Sequence, residues 1–121
     1  MRELFESCDE LHSSSLCLAE MACVLHRYVR EGLLNREQAM SVRRSFLESV
    51  HEGTWNLIPV SEGILRTVSA MIPELPDGVF LRSGDAIHLV TASQAGFPEV
   101  WTNDRHLLSA APHFGLAGRS V

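Results

Sequence analysis

Over most of the chain the apolar positions recur with helical period, and short apolar runs of strand length separate the helical stretches. Asp9 to Ser15 mixes polar residues with Leu11 and ends in a serine run, which predicts a short strand followed by a helix capped by Ser15. From Leu16 to about Glu31 the stretch LCLAEMACVLHRYVRE is apolar nearly all round in its first half and amphipathic in its second. This predicts a helix with a buried start and a stop at Gly32. A second helix is signalled by Asn35 as cap, Glu37 in the first turn and apolar spacing through Ala39, Val42, Phe46, Leu47 and Val50, ending near Gly53. Together the two form a helical hairpin.

Trp55 to Val60 reads as a short strand closed by Pro59. Ser61, with Glu62 behind it, caps a helix that runs to about Ile72 and is halted by Pro73 and Pro76. After the loop PELPDGVFLR, the stretch SGDAIHLVTASQAGF predicts a helix capped at Ser83 and stopped at Gly96. Glu99 to Thr102 is a short strand, Asn103-Asp104 opens a last helix, and the tail from Pro112 is short and turn-rich. Strands alternating with helices imply an α/β fold, a mainly parallel sheet flanked by helices.

Length and composition narrow this picture. At 121 residues the chain predicts a single domain over 1–121, and 45% hydrophobic with 21% charged residues is the balance of an ordinary globular protein. No apolar run approaches the roughly 20 residues that cross a bilayer, and the start lacks the apolar core of a signal peptide, so the expected compartment is the cytosol, with no membrane partner. Cys8, Cys17 and Cys23 form no CxxC pair and read as small core residues rather than a disulfide framework or a zinc knuckle. The formal charge is −5 and all ten basic residues are arginine, which argues against a duplex-coating protein with a broad lysine field. A nuclease is not excluded, because an enzyme that gathers carboxylates is locally acidic and a few arginines can grip phosphates bidentately.

Three carboxylates stand where an ordinary core would not put them. Glu20 lies inside LCLAEMACVL with apolar neighbours at every helical offset, so it needs a cation partner, a proton or a cavity. Asp85 occupies an apolar helix start in SGDAIHLVTA, and Asp104 directly follows the strand EVWT, at the end where open α/β sheets place their sites. Taken singly, Asp104 reads equally as a helix cap, Asp85 as a first-turn dipole acid and Glu20 as half of a buried arginine pair. Jointly they form a set of hard oxygen ligands suited to Mg²⁺ or Mn²⁺, the setting of phosphodiester chemistry. Arg82 and Arg105, beside Asp85 and Asp104, are candidates to meet the phosphates. Ser83, Thr102 and Asn103 are candidates to orient the acids or a water.

SSSLCLAEMACVL, RSGDAIHLVTA and VWTNDRHLL, in that order, resemble the PIN domain family, most closely the VapC-type toxins of bacterial toxin–antitoxin pairs. The resemblance aligns Glu20, Asp85 and Asp104 with acidic metal ligands of the family. It implies a parallel sheet flanked by helices, Mg²⁺ or Mn²⁺ dependence, endonucleolytic cleavage of RNA, an antitoxin partner and a homodimer. The family's opening strand, which ends in an aspartate and lies centrally in its sheet, has no counterpart here, and Asp9 does not match that aspartate. The expectation is therefore an N-terminally incomplete PIN-like domain without its first strand, with activity reduced or absent. A degenerate, non-catalytic module that binds RNA or protein is the alternative.

Of the remaining residues, His88 lies one turn beyond Asp85, where it either faces the site or, as is more common, is satisfied within the fold, and the other histidines show no ligand spacing. Trp55 and Trp101 sit in apolar runs and read as packing residues. Tyr28, Val29, Leu33 and Leu34, near the turn of the helical hairpin, present either a partner groove or a core contact.

Overall fold

The structure, a computed structural model, describes residues 11–120. Cys8 and Asp9, both named above, lie outside the described residues.

Among the described residues, four short strands form two parallel pairs. Strand β1 (Leu11–Ser14) pairs with β2 (Trp55–Ile58), Leu11 opposite Trp55 and Ser14 opposite Ile58. Strand β3 (Glu99–Trp101) pairs with β4 (Ala117–Arg119), Glu99 opposite Ala117. The expected parallel arrangement is present, and it is divided into two two-stranded sheets. Between them lies a narrow cleft of about 30 Å³, lined by β1, β3 and the helix α4 (Ser83–Gln94). The hydroxyls of Ser13 and Thr91, both on this cleft, are buried without a hydrogen-bond partner among the described residues.

Helix α1 (Cys17–Arg30) follows β1 directly. The predicted cap is displaced: Leu16 holds the cap position with no side-chain bond, and the Ser15 hydroxyl instead accepts the Val60 backbone N–H at 3.2 Å. Ser14, one residue earlier, accepts the Leu16 N–H at 3.1 Å. Nor is the start of α1 wholly buried. Cys17 is enclosed, but Leu18 is 43% exposed and Cys23 is at the surface, so only one of these two cysteines is a core residue.

Helix α2 (Arg36–His51) opens with a reciprocal capping box, in which Asn35 accepts the Gln38 N–H and Gln38 accepts the Asn35 N–H. The chain turns between α1 and α2 at Gly32, whose φ of 78° suits glycine. The packed face of α2 omits Val42, which faces outward, while Phe46 meets Trp55 at a ring separation of 5.9 Å. Of the four hairpin residues, Leu33 is exposed and Tyr28, Val29 and Leu34 are half-buried.

Helix α3 (Glu62–Met71) is capped by Ser61 as expected and passes into a 3₁₀ turn at Ile72–Glu74. Helix α4 begins one residue earlier than its predicted cap allows: Arg82 is the cap residue and Ser83 is already helical. Helix α5 (Arg105–Ala110) starts from Asp104 and continues into a 3₁₀ turn at Ala111–Phe114. The tail then forms β4, a strand the turn-rich composition hid.

The main core gathers Ile64, Leu89, Val90, Phe114 and Leu116 around α4. Leu89 is 1% exposed, and burial of a leucine side chain is worth about 1.5–3 kcal/mol. Helix α4 packs against β1, β3 and α3, so it spans both strand pairs.

Candidate active site

Helices α1, α4 and α5 each present an acidic residue at or near the amino end. Glu20 is in the first turn of α1, Asp85 in the first turn of α4, and Asp104 is the cap residue of α5. Unpaired backbone N–H groups make each of these ends partly positive, so a carboxylate there is favoured locally. All three residues line one cleft of about 490 Å³. The stretches that the sequence singled out separately are therefore brought to one place.

Each carboxylate is held differently. Glu20 Oε1 lies 2.5 Å from His88 Nε2, a bond donated by the imidazole when Nε2 carries the proton, and the His88 side chain is only 9% exposed. Glu20 Oε2 lies 2.9 Å from where a Cβ on Gly84 would stand. Gly84 and His88 are four residues apart and thus on one stripe of α4. A glycine at the first of these positions opens the space that the Glu20 carboxylate fills, and a histidine at the second binds it. The two expectations for His88 meet in one residue: it is satisfied within the fold by Glu20 and it lines the cleft.

Asp104 divides its oxygens. Oδ1 accepts the His106 and Leu107 N–H groups at 2.8 and 3.3 Å, capping α5, and Oδ2 lies 4.0 Å from Arg82 Nη2. Thr102 fixes the approach, its hydroxyl accepting the Asp104 N–H at 3.1 Å. The cap reading and the cleft reading are both satisfied by one residue.

Asp85 is the most enclosed of the three, with a side chain 17% exposed. Its Oδ2 is buried with no hydrogen-bond partner, and Arg82 Nε at 3.7 Å is near enough for charge attraction but too far for a hydrogen bond. An ionised carboxylate oxygen left in that state is costly and stays only where something else satisfies it. Arg82, its side chain 69% exposed, thus stands between Asp85 and Asp104 and is shared by both. Ser83 also lines the cleft, whereas Arg105 and Asn103 are exposed and lie outside its lining.

Among the described residues, no group of three or more histidine, cysteine, aspartate or glutamate side chains is placed to hold a metal ion together. The donor set nonetheless fits a magnesium-like ion. Such ions are held by one or two carboxylates and keep water or phosphate in their other positions, and Asp85, whose Oδ2 is buried and unpartnered, lines the cleft together with Glu20 and Asp104.

No helix among the described residues is long and apolar enough to cross a membrane. Comparison with curated proteins finds no match. Comparison with protein-family models matches the PIN domain over residues 1–112, and PIN domains are generally metal-dependent nucleases that act on nucleic acid. The elements that carry Glu20, Asp85 and Asp104 all fall within that span, and the chain belongs to the PIN domain family.

Proposed function

We propose that the protein is a divalent-metal-dependent endoribonuclease of the VapC toxin type, with Glu20, Asp85 and Asp104 as its metal-holding acids and Mg²⁺ or Mn²⁺ as its cofactor. The observation that carries this reading is the buried, unpartnered Asp85 Oδ2 in a cleft shared with Glu20 and Asp104. When bound, the ion supplies charge neutralisation at the phosphodiester and activation of the attacking water. Arg82 swings from its long contacts with Asp85 and Asp104 to grip the scissile phosphate, a better partner for a guanidinium than a carboxylate oxygen 3.7 Å away. Arg105, exposed at the start of α5, takes a flanking phosphate. His88 orients Glu20, Thr102 orients Asp104, Ser83 completes the polar lining, and Asn103 stands outside it next to Asp104 in the chain. The protein acts as a cytosolic homodimer whose α1–α2 hairpin, with Leu33 exposed at its turn, receives an antitoxin peptide.

Cleavage of single-stranded RNA with Mg²⁺ or Mn²⁺ tests this, comparing the chain with Asp85→Asn and Glu20→Gln. Cleavage that disappears in both variants supports the assignment. Equal cleavage in the variants places the activity elsewhere.

One observation favours a second reading, a non-catalytic PIN module that binds RNA or protein. Arg82 already bridges Asp85 and Asp104, and the acids form no closed cage among the described residues. Mn²⁺ titration followed by electron paramagnetic resonance separates the two: saturable binding lost in Asp85→Asn favours the enzyme, and none at millimolar Mn²⁺ favours the module.

A further inference from the structure

Beside the acidic cleft, two rings with no part in holding the carboxylates meet at the surface. Phe80 is 55% exposed, and its ring lies edge-on to that of His106, with centroids 4.8 Å apart and planes at 65°. Its chain neighbours Val79 and Leu81 pack against the core, so the backbone holds this phenyl group outward while both flanking side chains turn in. An edge-to-face pair covers at most one face of a ring, so the Phe80 exposure includes an open aromatic face.

Position links this pair to the cleft on both sides. Phe80 lies two residues before Arg82, and both are exposed with Leu81 turned in between them. His106 lies two residues after Asp104, its N–H held at 2.8 Å by the Asp104 carboxylate. Neither ring is in the cleft lining itself, but each lies two residues along the chain from a residue that is, Phe80 from Arg82 and His106 from Asp104. A flat apolar face next to a cation next to an anion-handling cleft matches a nucleotide in single-stranded form, whose base offers a π face and whose phosphate offers negative charge. Bases within a duplex have no free face to give.

We propose that Phe80, buttressed by His106, is a stacking subsite for an unpaired RNA base adjoining the phosphodiester in the cleft. The inference rests on the nuclease reading above and adds to it a residue that contacts a base of the substrate. Base–aromatic stacking tolerates any base, so Phe80 contributes affinity without sequence preference.

The test uses the full chain in a chelator, which stops cleavage, with a short single-stranded RNA carrying 2-aminopurine, whose fluorescence is quenched on stacking. Wild type binds and quenches. Phe80→Ala weakens binding about tenfold and abolishes the quench, within the range for one stacked base; Phe80→Trp restores both. A duplex of the same sequence binds wild type and Phe80→Ala alike. The stacking subsite is overturned if Phe80→Ala binds within twofold with the quench intact, or if single strand and duplex lose affinity equally. Should Phe80→Ala leave binding unchanged while Asp85→Asn still abolishes cleavage, the subsite falls and the nuclease stands. Should wild type neither bind nor cleave single-stranded RNA, both fall.

Discussion

His88 Nε2 and Glu20 Oε1 stand 2.5 Å apart, so an imidazole from α4 fixes a carboxylate from α1 across the candidate site. The two residues are far apart in the chain, and this bond sets where one acid points. We expect His88→Ala to lower Mn²⁺ affinity by about 10- to 100-fold, the usual cost of losing a group that orients a metal ligand. His88→Gln keeps an N–H donor and recovers most of that loss. Paramagnetic resonance titration reads the difference; equal affinity in His88→Ala and wild type would show that Glu20 needs no support.

Gly84→Ala separates stability from site geometry. The new Cβ meets Glu20 Oε2 at 2.9 Å, an oxygen at the free end of a side chain, so the carboxylate moves and the fold does not. Replacing a helical glycine by alanine contributes up to about 1 kcal/mol. The expected result is a melting temperature unchanged or raised, together with weaker Mn²⁺ binding and slower RNA cleavage. A variant that is both cooler-melting and fully active contradicts it.

Asp104 performs two tasks that substitution can split. Asparagine caps helices as well as aspartate does, so Asp104→Asn retains the bonds to His106 and Leu107 and melts within a degree or two of wild type. Asp104→Ala loses the cap and about 1 kcal/mol. Cleavage falls in both variants, because both remove the charge. Calorimetry and a cleavage assay on the pair check each half.

Acid sensitivity should trace in part to β3 and β4. The Arg119 guanidinium that donates to Glu99 is the main cause that holds its carboxyl below the usual 4.5, with the Trp101 indole N–H assisting and burial opposing. The folded value is depressed, so the stabilisation is present above the ordinary glutamate range and fades as pH falls through the lowered value. Denaturant melts of wild type and Glu99→Gln should differ by a constant amount between pH 7 and 5 and converge at lower pH. A gap that widens on acidification would reverse the sign.

Elements whose signal is local were legible from the chain. Asn35, Ser61 and Asp104 cap helices because the backbone N–H groups that donate to them lie two or three residues away, and Gly32 ends α1 through its own backbone. Ser15 failed as a cap because its hydroxyl found Val60, 45 positions distant, a partner no window of sequence contains. Strand β4 went unseen because Ala117-Gly118-Arg119 has no pattern of its own and becomes a strand by pairing with β3. The acids of the candidate site stood out as charges in apolar surroundings. Their supports did not: His88 is 68 positions from Glu20, and the clearance at Gly84 is a property of two helices, not of either sequence.

The division of the strands into two pairs gives α4 a mechanical office. Among the described residues neither ladder hydrogen-bonds to the other, and this helix packs on both β1 and β3. The same helix carries Asp85 and His88 as well as the buried Leu89 and Val90, so a substitution that loosens this packing is expected to displace the acids too. The alignment of the candidate site and the packing of both strand pairs thus rest on one twelve-residue helix.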